Sequence, residues 1–164
     1  MEGGDSLKNS LSWLHGVING KIGHGLEVIA LQGLRVIHAE KGFMRFDFVV
    51  PNAVSDVDGY WSVAALASLL DVIGVVTTYS FSNRISPTID FNVSYYSTIM
   101  VQVKSFLFNR GVHVEIESKV NANRGKLMHV VIEVRRKGNG ELIAEGKLWM
   151  AASTKFTLAQ VSKL

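Results

Sequence analysis

Residues 60–79 read YWSVAALASLLDVIGVVTTY and contain a single charged side chain, Asp71. No other charge occurs between Asp58 and Arg84, and Ala, Leu, Val and Ile would occupy every face of a helix formed by this stretch. A helix that is apolar all round is typically buried. The stretch therefore predicts a buried helix from Tyr60 to about Tyr79, with Asp58 or Ser62 as its N-cap.

Segments of alternating polarity lie on both sides of this helix. Upstream, residues 34–40 and 43–50 flank a Lys41-Gly42 turn and predict an antiparallel hairpin. Downstream, turn signals separate five strand-like runs, which are Thr88–Tyr96, Met100–Phe108, His113–Asn121, Met128–Arg136 and Glu141–Ala152. A strand pair, one buried helix and then a meander predict an α+β domain, in which an antiparallel sheet wraps around one long helix.

The first thirty residues form a separate segment. Apolar residues at helical spacing predict a helix from Leu7 to Ile18, capped by Asp5 or Ser6, and the glycines that follow predict a loop. We therefore divide the chain into an N-terminal helix and loop (1–30), the α+β domain (31–153) and a C-terminal tail (154–164).

Composition excludes several classes of protein. The chain has 164 residues and no cysteine, which removes disulfides, cysteine-ligated metals and thiol nucleophiles. The five histidines show no metal-ligand spacing, so we expect no metal. A net charge of +3 is small for a nucleic-acid-binding protein, so we expect no nucleic-acid partner. We also expect no membrane span, because Asp71 would lie in the middle of the most apolar stretch.

The last three residues, Ser162-Lys163-Leu164, match the tripeptide that the peroxisomal import receptor binds. This match predicts a peroxisomal protein with the import receptor as a partner. The alternative is an ordinary polar tail on a cytoplasmic protein.

Asp71 is the residue that most needs an explanation. A buried lone carboxylate costs several kcal/mol unless another group pairs with it. Its own helix offers only Ser68 one turn earlier and Gly74 one turn later, so the partner has to come from another element. Burial would also make the carboxylate a better base near neutral pH. Asp71 is therefore either a functional base or nucleophile, or a structural aspartate satisfied by another element or a neighbouring subunit.

Two motifs resemble a known family. The helix segment Ser68–Gly74 (SLLDVIG), followed by Pro87–Tyr96 (PTIDFNVSYY), resembles the hotdog-fold acyl-CoA thioesterases, and among them the acyl-CoA thioesterase 13 (thioesterase superfamily member 2) group. The turn Arg124-Gly125-Lys126 and the stretch Gly140–Lys147 also fall where the family has them. The resemblance implies a hotdog fold over about residues 30–153.

The resemblance also implies roles for the residues around the helix. Asp71 would act as base or nucleophile toward the thioester, and Thr88 would help to place the attacking water. The backbone amides of Val63 and Ala64 would polarise the thioester carbonyl. Where the family has His-Gly-Gly at the helix start, this chain has Ser62-Val63-Ala64, which changes the side chains but keeps the amides and the helix dipole.

Further positions follow from the same resemblance. Asn52 would correspond to the family's asparagine upstream of the helix, with Asp56 and Asp58 as competitors for that place. Contacts to the CoA substrate would come from Ser62, Asn92, Arg124, Gly125 and Lys126. The basic second half of the chain suits a 3′-phosphoadenosine group, although the same cations are equally typical of solvated turns.

The resemblance therefore implies a thioesterase that hydrolyses acyl-CoA to a free acid and CoA, with no cofactor beyond the CoA of the substrate. It implies self-association to a dimer or tetramer, because the family's sites lie between subunits. Two alternatives remain open. The altered Ser62-Val63-Ala64 segment is also consistent with an acyl-CoA-binding protein of weak or no hydrolase activity. An enoyl-CoA hydratase would need a base–histidine pair at the helix start.

Overall fold

A computed structural model of the chain describes residues 2–101 and 111–152. Its helices are α1 (Glu2–Ile18), α2 (Gly25–Ala30) and α3 (Val63–Ser82), with one 3-10 turn at Asn52–Val54. Its strands are β1 (Arg35–Glu40), β2 (Phe43–Val49), β3 (Thr88–Tyr95), β4 (His113–Arg124), β5 (Leu127–Arg136) and β6 (Leu142–Ala151). The predicted α+β class is confirmed.

The six described strands form one antiparallel sheet in the order β1-β2-β4-β5-β6-β3. The prediction of a single meander after the helix is only partly right: β4, β5 and β6 form one, but β3 pairs with β6 at the far edge. The reason is that α3 leads from β2 across β4, β5 and β6 before β3 begins. Apart from Met100 and Val101, the predicted strand Met100–Phe108 lies outside the described residues.

The helix α3 packs on the inner face of the sheet through two glycines. A Cβ atom on Gly74 would lie 3.0 Å from Leu148 and 3.5 Å from Val130, so the missing side chain lets the helix approach β5 and β6 closely. From the sheet side, a Cβ atom on Gly146 would lie 3.4 Å from Leu70. Because both elements omit a side chain at the crossing point, the position of α3 on the sheet is fixed there.

The bounds of α3 differ from the predicted ones by about one turn. The helix begins at Val63, with Ser62 as its N-cap, because Tyr60 and Trp61 are extended and form bridges with Met100 and Ser55. It ends at Ser82, where Asn83 adopts a left-handed conformation.

The N-terminal segment also differs in detail from its prediction. α1 begins at Glu2, so Asp5 and Ser6 lie inside the helix and do not cap it. The Ser6 hydroxyl is buried and donates to the Ser80 carbonyl at 2.8 Å, which ties α1 to the end of α3. The predicted loop contains α2, whose start is stabilised by the Glu27 carboxylate accepting the backbone N–H of His24.

The prediction that α3 is a buried helix holds for most of its residues but not for all of its faces. The sheet covers one side and α1 another, and a strip of exposed or half-buried side chains remains: Ala64, Ala67, Ser68, Asp71 and Val75. Among the described residues, α3 is the one helix long and apolar enough to cross a membrane, but 67% of its most apolar window is buried inside the fold. That burial argues against a membrane span, and the open strip places Asp71 at the surface of the chain.

A charge cluster that the sequence patterns do not reveal holds one end of the sheet together. The Asp47 side chain on β2 is only 2% exposed and pairs with Arg35 of β1 and, at 2.6 Å, with Nζ of Lys137 in the turn after β5. Hydrogen bonds from Lys137 and Arg35 lower the pKa of Asp47 below its ordinary value of 3.8. The ionised carboxylate is therefore the form that the fold favours.

The substitution Asp47→Asn is expected to lower the free energy of unfolding by about 1 kcal/mol at neutral pH, because Arg35 and Lys137 are exposed and solvent screens the pairs. Since the folded state lowers the pKa of Asp47, its carboxylate stabilises the fold above the unfolded pKa, and this contribution is lost as the pH falls through the folded pKa. Urea unfolding should thus show a difference between the two proteins that is constant well above the ordinary pKa of 3.8 and shrinks as the pH falls below it.

The matched control for this substitution is Asp58→Asn. Asp58 is exposed and makes no ion pair within residues 2–101 and 111–152, so its replacement is expected to leave the free energy of unfolding unchanged over the same pH range. An Asp47→Asn difference that persists in full at the acid end would contradict the ion-pair explanation.

Candidate active site

One hydrogen bond forms the centre of the candidate site. The Thr88 hydroxyl, on the first residue of β3, donates to Oδ1 of Asp71 at 2.7 Å. Both side chains are half-buried beside the open strip of α3. The partner of the lone carboxylate thus comes from another element, and it fixes the orientation of the carboxylate. The second carboxylate oxygen accepts no hydrogen bond from the described part of the chain, so it is free to receive a proton.

The alternation of β3 does not explain why Thr88 faces the helix. The strand runs TIDFNVSY, and strict alternation would place Thr88 on the same outer face as Asp90. Asp90 lies opposite Trp149 of β6, and its side chain is exposed there. A regular strand would therefore point the Thr88 hydroxyl away from Asp71.

A β-bulge resolves this conflict. The register with β6 shifts between Thr88 and Asp90, so that Thr88 lies opposite Met150 and Ile89 is an extra residue. Met150 is fully buried on the helix side, where the Thr78 hydroxyl contacts its sulfur at 3.2 Å. Bulges often re-aim side chains next to functional sites. Here the bulge turns Thr88 to the inner face of the sheet and onto Asp71.

The start of α3 carries the second group of predicted residues. Ser62 is the N-cap but makes no side-chain cap hydrogen bond, so its hydroxyl does not satisfy the first-turn amides, which include those of Val63 and Ala64. The Val63 side chain is 59% exposed. Amides at the positive end of a helix dipole stabilise a developing negative charge.

The loop before α3 lies against this helix start. The Val54 carbonyl accepts the Ser62 N–H at 2.9 Å, which brings the 3-10 turn that contains Asn52 next to the first turn of the helix. Asn52 is exposed. Its competitor Asp56 uses Oδ1 to accept the amides of Asp58 and Tyr60, and it therefore shapes the loop.

One chain does not bring Asp71 and the helix start together. Val63 and Asp71 are eight residues apart on one straight helix, which is about 12 Å at the usual rise per residue. A single thioester carbonyl cannot contact both the Val63 amide and the Asp71 carboxylate of the same chain.

The predicted CoA contacts fall on two different surfaces. Arg124, Gly125 and Lys126 form the exposed turn between β4 and β5, where Gly125 adopts a φ of +63°. This turn lies at the same end of the sheet as Thr88. Met128, just after the turn, lies opposite Met150, and Met150 lies opposite Thr88. The three residues are on neighbouring strands, so Met128 and Thr88 are roughly 10 Å apart.

Asn92 is not part of this arrangement. Asn92 lies on the outer face of the sheet, opposite Lys147. Ser162, Lys163 and Leu164 lie outside the described residues.

A cavity of about 570 Å³ next to the helix start is a feature that the sequence analysis missed. The loops 56–61 and 95–99 enclose it, joined by the hydrogen bond from the Trp61 N–H to the Ile99 carbonyl at 2.8 Å. Its floor is made by Trp61, Leu66, Ile99 and Ile143, which are all buried, and its wall by Tyr60, Val63, Tyr95 and Tyr96. The doublets Tyr60-Trp61 and Tyr95-Tyr96 at element boundaries are the signal in the sequence that points to it.

The fold is shared with solved thioesterase structures. Thioesterase superfamily member 2 of zebra fish superposes with a TM-score of 0.72 at 18% identity, over 85% of this chain and 94% of that chain. The Mus musculus protein of the same name gives 0.71 at 15% identity, over 89% and 96%. A hypothetical thioesterase of Streptococcus pneumoniae, solved with coenzyme A, gives 0.67 at 12% identity, over 77% and 90%.

No protein-family model matches the chain, and no curated protein sequence matches it. At these sequence identities, the structural similarity establishes a shared fold and nothing more. The predicted hotdog fold is therefore confirmed, and the resemblance to thioesterase superfamily member 2 is confirmed at the level of the fold.

Deletion of Ile89 tests the bulge that positions Thr88. Without Ile89, Thr88 still lies opposite Met150 and Asp90 still lies opposite Trp149, so we expect a folded protein with a melting temperature near that of the parent. The matched control is deletion of Phe91, which would move Asp90 inward, opposite the buried Leu148, and should prevent folding. Thermal unfolding followed by circular dichroism measures both. An equal loss of thermal stability in the two deletion variants would show that Ile89 is not an extra residue.

Proposed function

We propose that this chain is an acyl-CoA thioesterase, which hydrolyses acyl-CoA to a free acid and CoA. The observation that carries the proposal is the Thr88–Asp71 hydrogen bond on the open strip of α3. A carboxylate oriented by a hydroxyl, with one oxygen left free, is suited to activate a water molecule. The solved structures with this fold are named thioesterases, and one of them was solved with coenzyme A.

The proposed reaction follows from these groups. A water molecule held by the second carboxylate oxygen of Asp71, beside the Thr88 hydroxyl, attacks the thioester carbonyl carbon while Asp71 accepts its proton. The carbonyl oxygen becomes an oxyanion, which the Val63 and Ala64 amides stabilise. The C–S bond then breaks, and the departing CoA thiolate takes the proton from Asp71. Direct attack by the Asp71 carboxylate is the variant in which it acts as nucleophile.

The separation of about 12 Å between Val63 and Asp71 along α3 calls for a second copy of the chain. Among the described strands, β3 lies at an edge of the sheet and pairs only with β6, and Ile89, Tyr95 and Tyr96 are exposed along it. Two such strands paired antiparallel about a two-fold axis set the start of one against the end of the other. This pairing would carry Asp71 of one copy toward Val63 of the other. Self-association to a dimer is therefore part of the proposal.

The exposed turn Arg124-Gly125-Lys126 is the proposed contact for the CoA phosphates. In the part of the chain that the structure describes, neither Arg124 nor Lys126 takes part in an ion pair, so both are available to an anionic group. The turn and Thr88 share one end of the sheet, which fits a substrate that extends from its phosphates to the reacting thioester.

The second candidate function is an acyl-CoA-binding protein without hydrolase activity. The exposed Val63 side chain favours it, because this position holds glycine in the resembled family and a valine narrows the approach to the amide. Calorimetric binding of acyl-CoA, without release of free thiol from any chain length, would select this alternative.

Peroxisomal localisation through the import receptor stays a proposal carried by Ser162-Lys163-Leu164. Fluorescence microscopy of the chain tagged at its N-terminus, with and without Leu164, tests it. Diffuse cytoplasmic signal from the unaltered chain would exclude it.

The substitution Asp71→Asn is expected to lower kcat by roughly 10²- to 10⁴-fold, because it removes the general base and keeps the side-chain shape. Thr88→Val should lower kcat less, and Thr88→Ser should restore it. The control is Asp90→Asn, which alters an exposed carboxylate on the outer face of the sheet. Release of free thiol from a panel of acyl-CoA thioesters measures the rates, and wild-type turnover by Asp71→Asn would contradict the mechanism.

Mixing two inactive variants tests whether the site is shared. Val63→Pro removes one amide hydrogen at the first helical position, where proline is tolerated, and Asp71→Asn removes the base. A mixed dimer would contain one intact site, so unfolding and refolding the two variants together should recover roughly a quarter of the wild-type activity. The same variants refolded separately serve as the control. If the mixture forms dimers but recovers no activity, then either the two groups do not act across the dimer or the Val63 amide has no role in catalysis.

A further inference from the structure

We propose that a polar cavity at the C-terminal end of α3 binds the phosphate group of a small phosphorylated molecule, as a second ligand site beyond the proposed thioesterase function. The cavity has a volume of about 430 Å³. Its lining comes from segments that are far apart in the sequence: Asp5 and Ser6 of α1, Lys41 in the turn between β1 and β2, and residues 81–84 at the end of α3. The charge, the donors and the anchoring of this lining favour a phosphate group.

Two cations without a carboxylate partner line the cavity, Lys41 and Arg84. Within residues 2–101 and 111–152, neither of them makes an ion pair. By contrast, carboxylates pair with six cations of the sheet and its β5–β6 turn, which are Arg35, Arg45, Arg135, Arg136, Lys137 and Lys147. The cavity therefore carries positive charge that the described part of the fold does not neutralise.

The acidic residue of the lining, Asp5, does not cancel this charge. It makes no ion pair with either cation among the described residues. Asp5 lies in the first turn of α1, which begins at Glu2, and a carboxylate there is stabilised by the dipole of its own helix. Two cations against one carboxylate leave the cavity with a net positive charge.

The alternative role for the two cations is to complement the carboxyl end of α3. That end already has other hydrogen-bond donors. The Asn83 N–H donates to the Tyr79 carbonyl at 2.8 Å, and the Ser6 hydroxyl donates to the Ser80 carbonyl at 2.8 Å. Neither cationic side chain donates to a carbonyl of α3 in the part of the chain that the structure describes. Capping of the helix therefore does not account for them.

Both cations are held at the cavity by contacts within the chain. Nζ of Lys41 lies 5.6 Å from the centre of the Phe81 ring, and the attraction between a cation and an aromatic face keeps it beside the end of α3. The backbone of Arg84 is fixed by Ser82, whose hydroxyl accepts the Arg84 N–H at 3.3 Å and lies 3.1 Å from its carbonyl oxygen. A ligand thus meets a partly ordered pair of cations, which lowers the entropy cost of binding.

The available donors suit a phosphate group better than a carboxylate. Lys41 and Arg84 reach the cavity from two different loops. Asn83 uses Oδ1 to accept a hydrogen bond from Asn9 at 3.2 Å, so its side-chain NH₂ group is a further donor. A phosphate group presents oxygens on several sides and can accept from all three, whereas the two oxygens of a carboxylate lie in one plane. The remaining volume accommodates a sugar-sized group, whose hydroxyls can donate to Asp5.

The cavity is separate from the candidate active site. Ser82 lies eleven residues after Asp71 on α3, which is about 16 Å along the helix. Thr88 and the proposed CoA contacts Arg124 and Lys126 are not among the residues that line the cavity.

The first experiment is an NMR titration of the full chain with ribose 5-phosphate, a small phosphate monoester that carries hydroxyl groups. The backbone N–H signals of Gly42, Asn83 and Arg84 should shift and reach saturation, with a dissociation constant in the low millimolar range or tighter. Ribose in sodium chloride of matched ionic strength is the control and should not shift them. Shifts that do not saturate, or that the control reproduces, would overturn the inference.

The second experiment removes the cations one at a time. Lys41→Met and Arg84→Met each keep an aliphatic stem, and both positions are exposed, so the fold should be unaffected. Each variant is expected to bind ribose 5-phosphate roughly tenfold more weakly, because hydrogen bonds to charged groups contribute about that factor. The matched control is Lys21→Met, an exposed cation without an ion pair in the described chain, at the other end of α1. Unchanged affinity in both cavity variants, or an equal loss in Lys21→Met, would reject the site.

The third experiment separates this site from the CoA contacts of the proposed function. Arg124→Met removes one of those contacts and should leave the ribose 5-phosphate shifts unchanged. If CoA shifts the Gly42 and Arg84 signals and ribose 5-phosphate does not, the cavity belongs to the substrate site and the inference is wrong. None of these measurements depends on thiol release, so a chain that cleaves no thioester can still bind ribose 5-phosphate here, and an active thioesterase can fail to bind it.

Discussion

A carboxylate on an apolar helix needs a hydrogen-bond donor from another element, and Thr88 of β3 is that donor for Asp71. Two backbone features bring the pair into contact. At the crossing of α3 with β5 and β6, Gly74 and Gly146 omit the side chains that would hold the helix away from the sheet. At the start of β3, the bulge at Ile89 turns Thr88 inward. The candidate site depends on both, and neither feature is itself a reacting group.

The two halves of α3 have different surroundings. Its C-terminal half is tied to the rest of the fold by buried hydroxyls: Thr77 bonds with Ser118 of β4 at 2.8 Å, and the Ser80 hydroxyl accepts the Gly42 N–H at 3.0 Å. Its N-terminal half borders a cavity and begins after Ser62, which makes no side-chain cap hydrogen bond. One end of the helix is thus anchored, and the other is open to a ligand. The open strip between them leaves room for a second copy of the chain.

Hydrophobic patterning predicted the two long helices, the hairpin and most strand bounds, because burial and alternation act locally along the chain, but it missed the short helix α2. It could not predict that β3 pairs with β6 or that Ile89 is an extra residue, since both depend on contacts between distant segments. The apolar pattern of α3 also overstated its burial, because small side chains along one strip look the same whether the sheet, solvent or another chain covers them. Asp71 was found because a single charge stands out in such a stretch, whereas Asp47 lies in an ordinary alternating strand.

In the proposed mechanism, catalysis needs the helix start of one copy and Asp71 of another. The most direct measurement is a crystal structure of the chain with a non-cleavable ketone analogue of acyl-CoA bound. If the site is shared between two copies, the ketone oxygen will accept a hydrogen bond from the Val63 amide of one copy, and the Asp71 carboxylate of the second copy will lie beside the ketone carbon. A ketone bound far from Asp71 of either copy would contradict it.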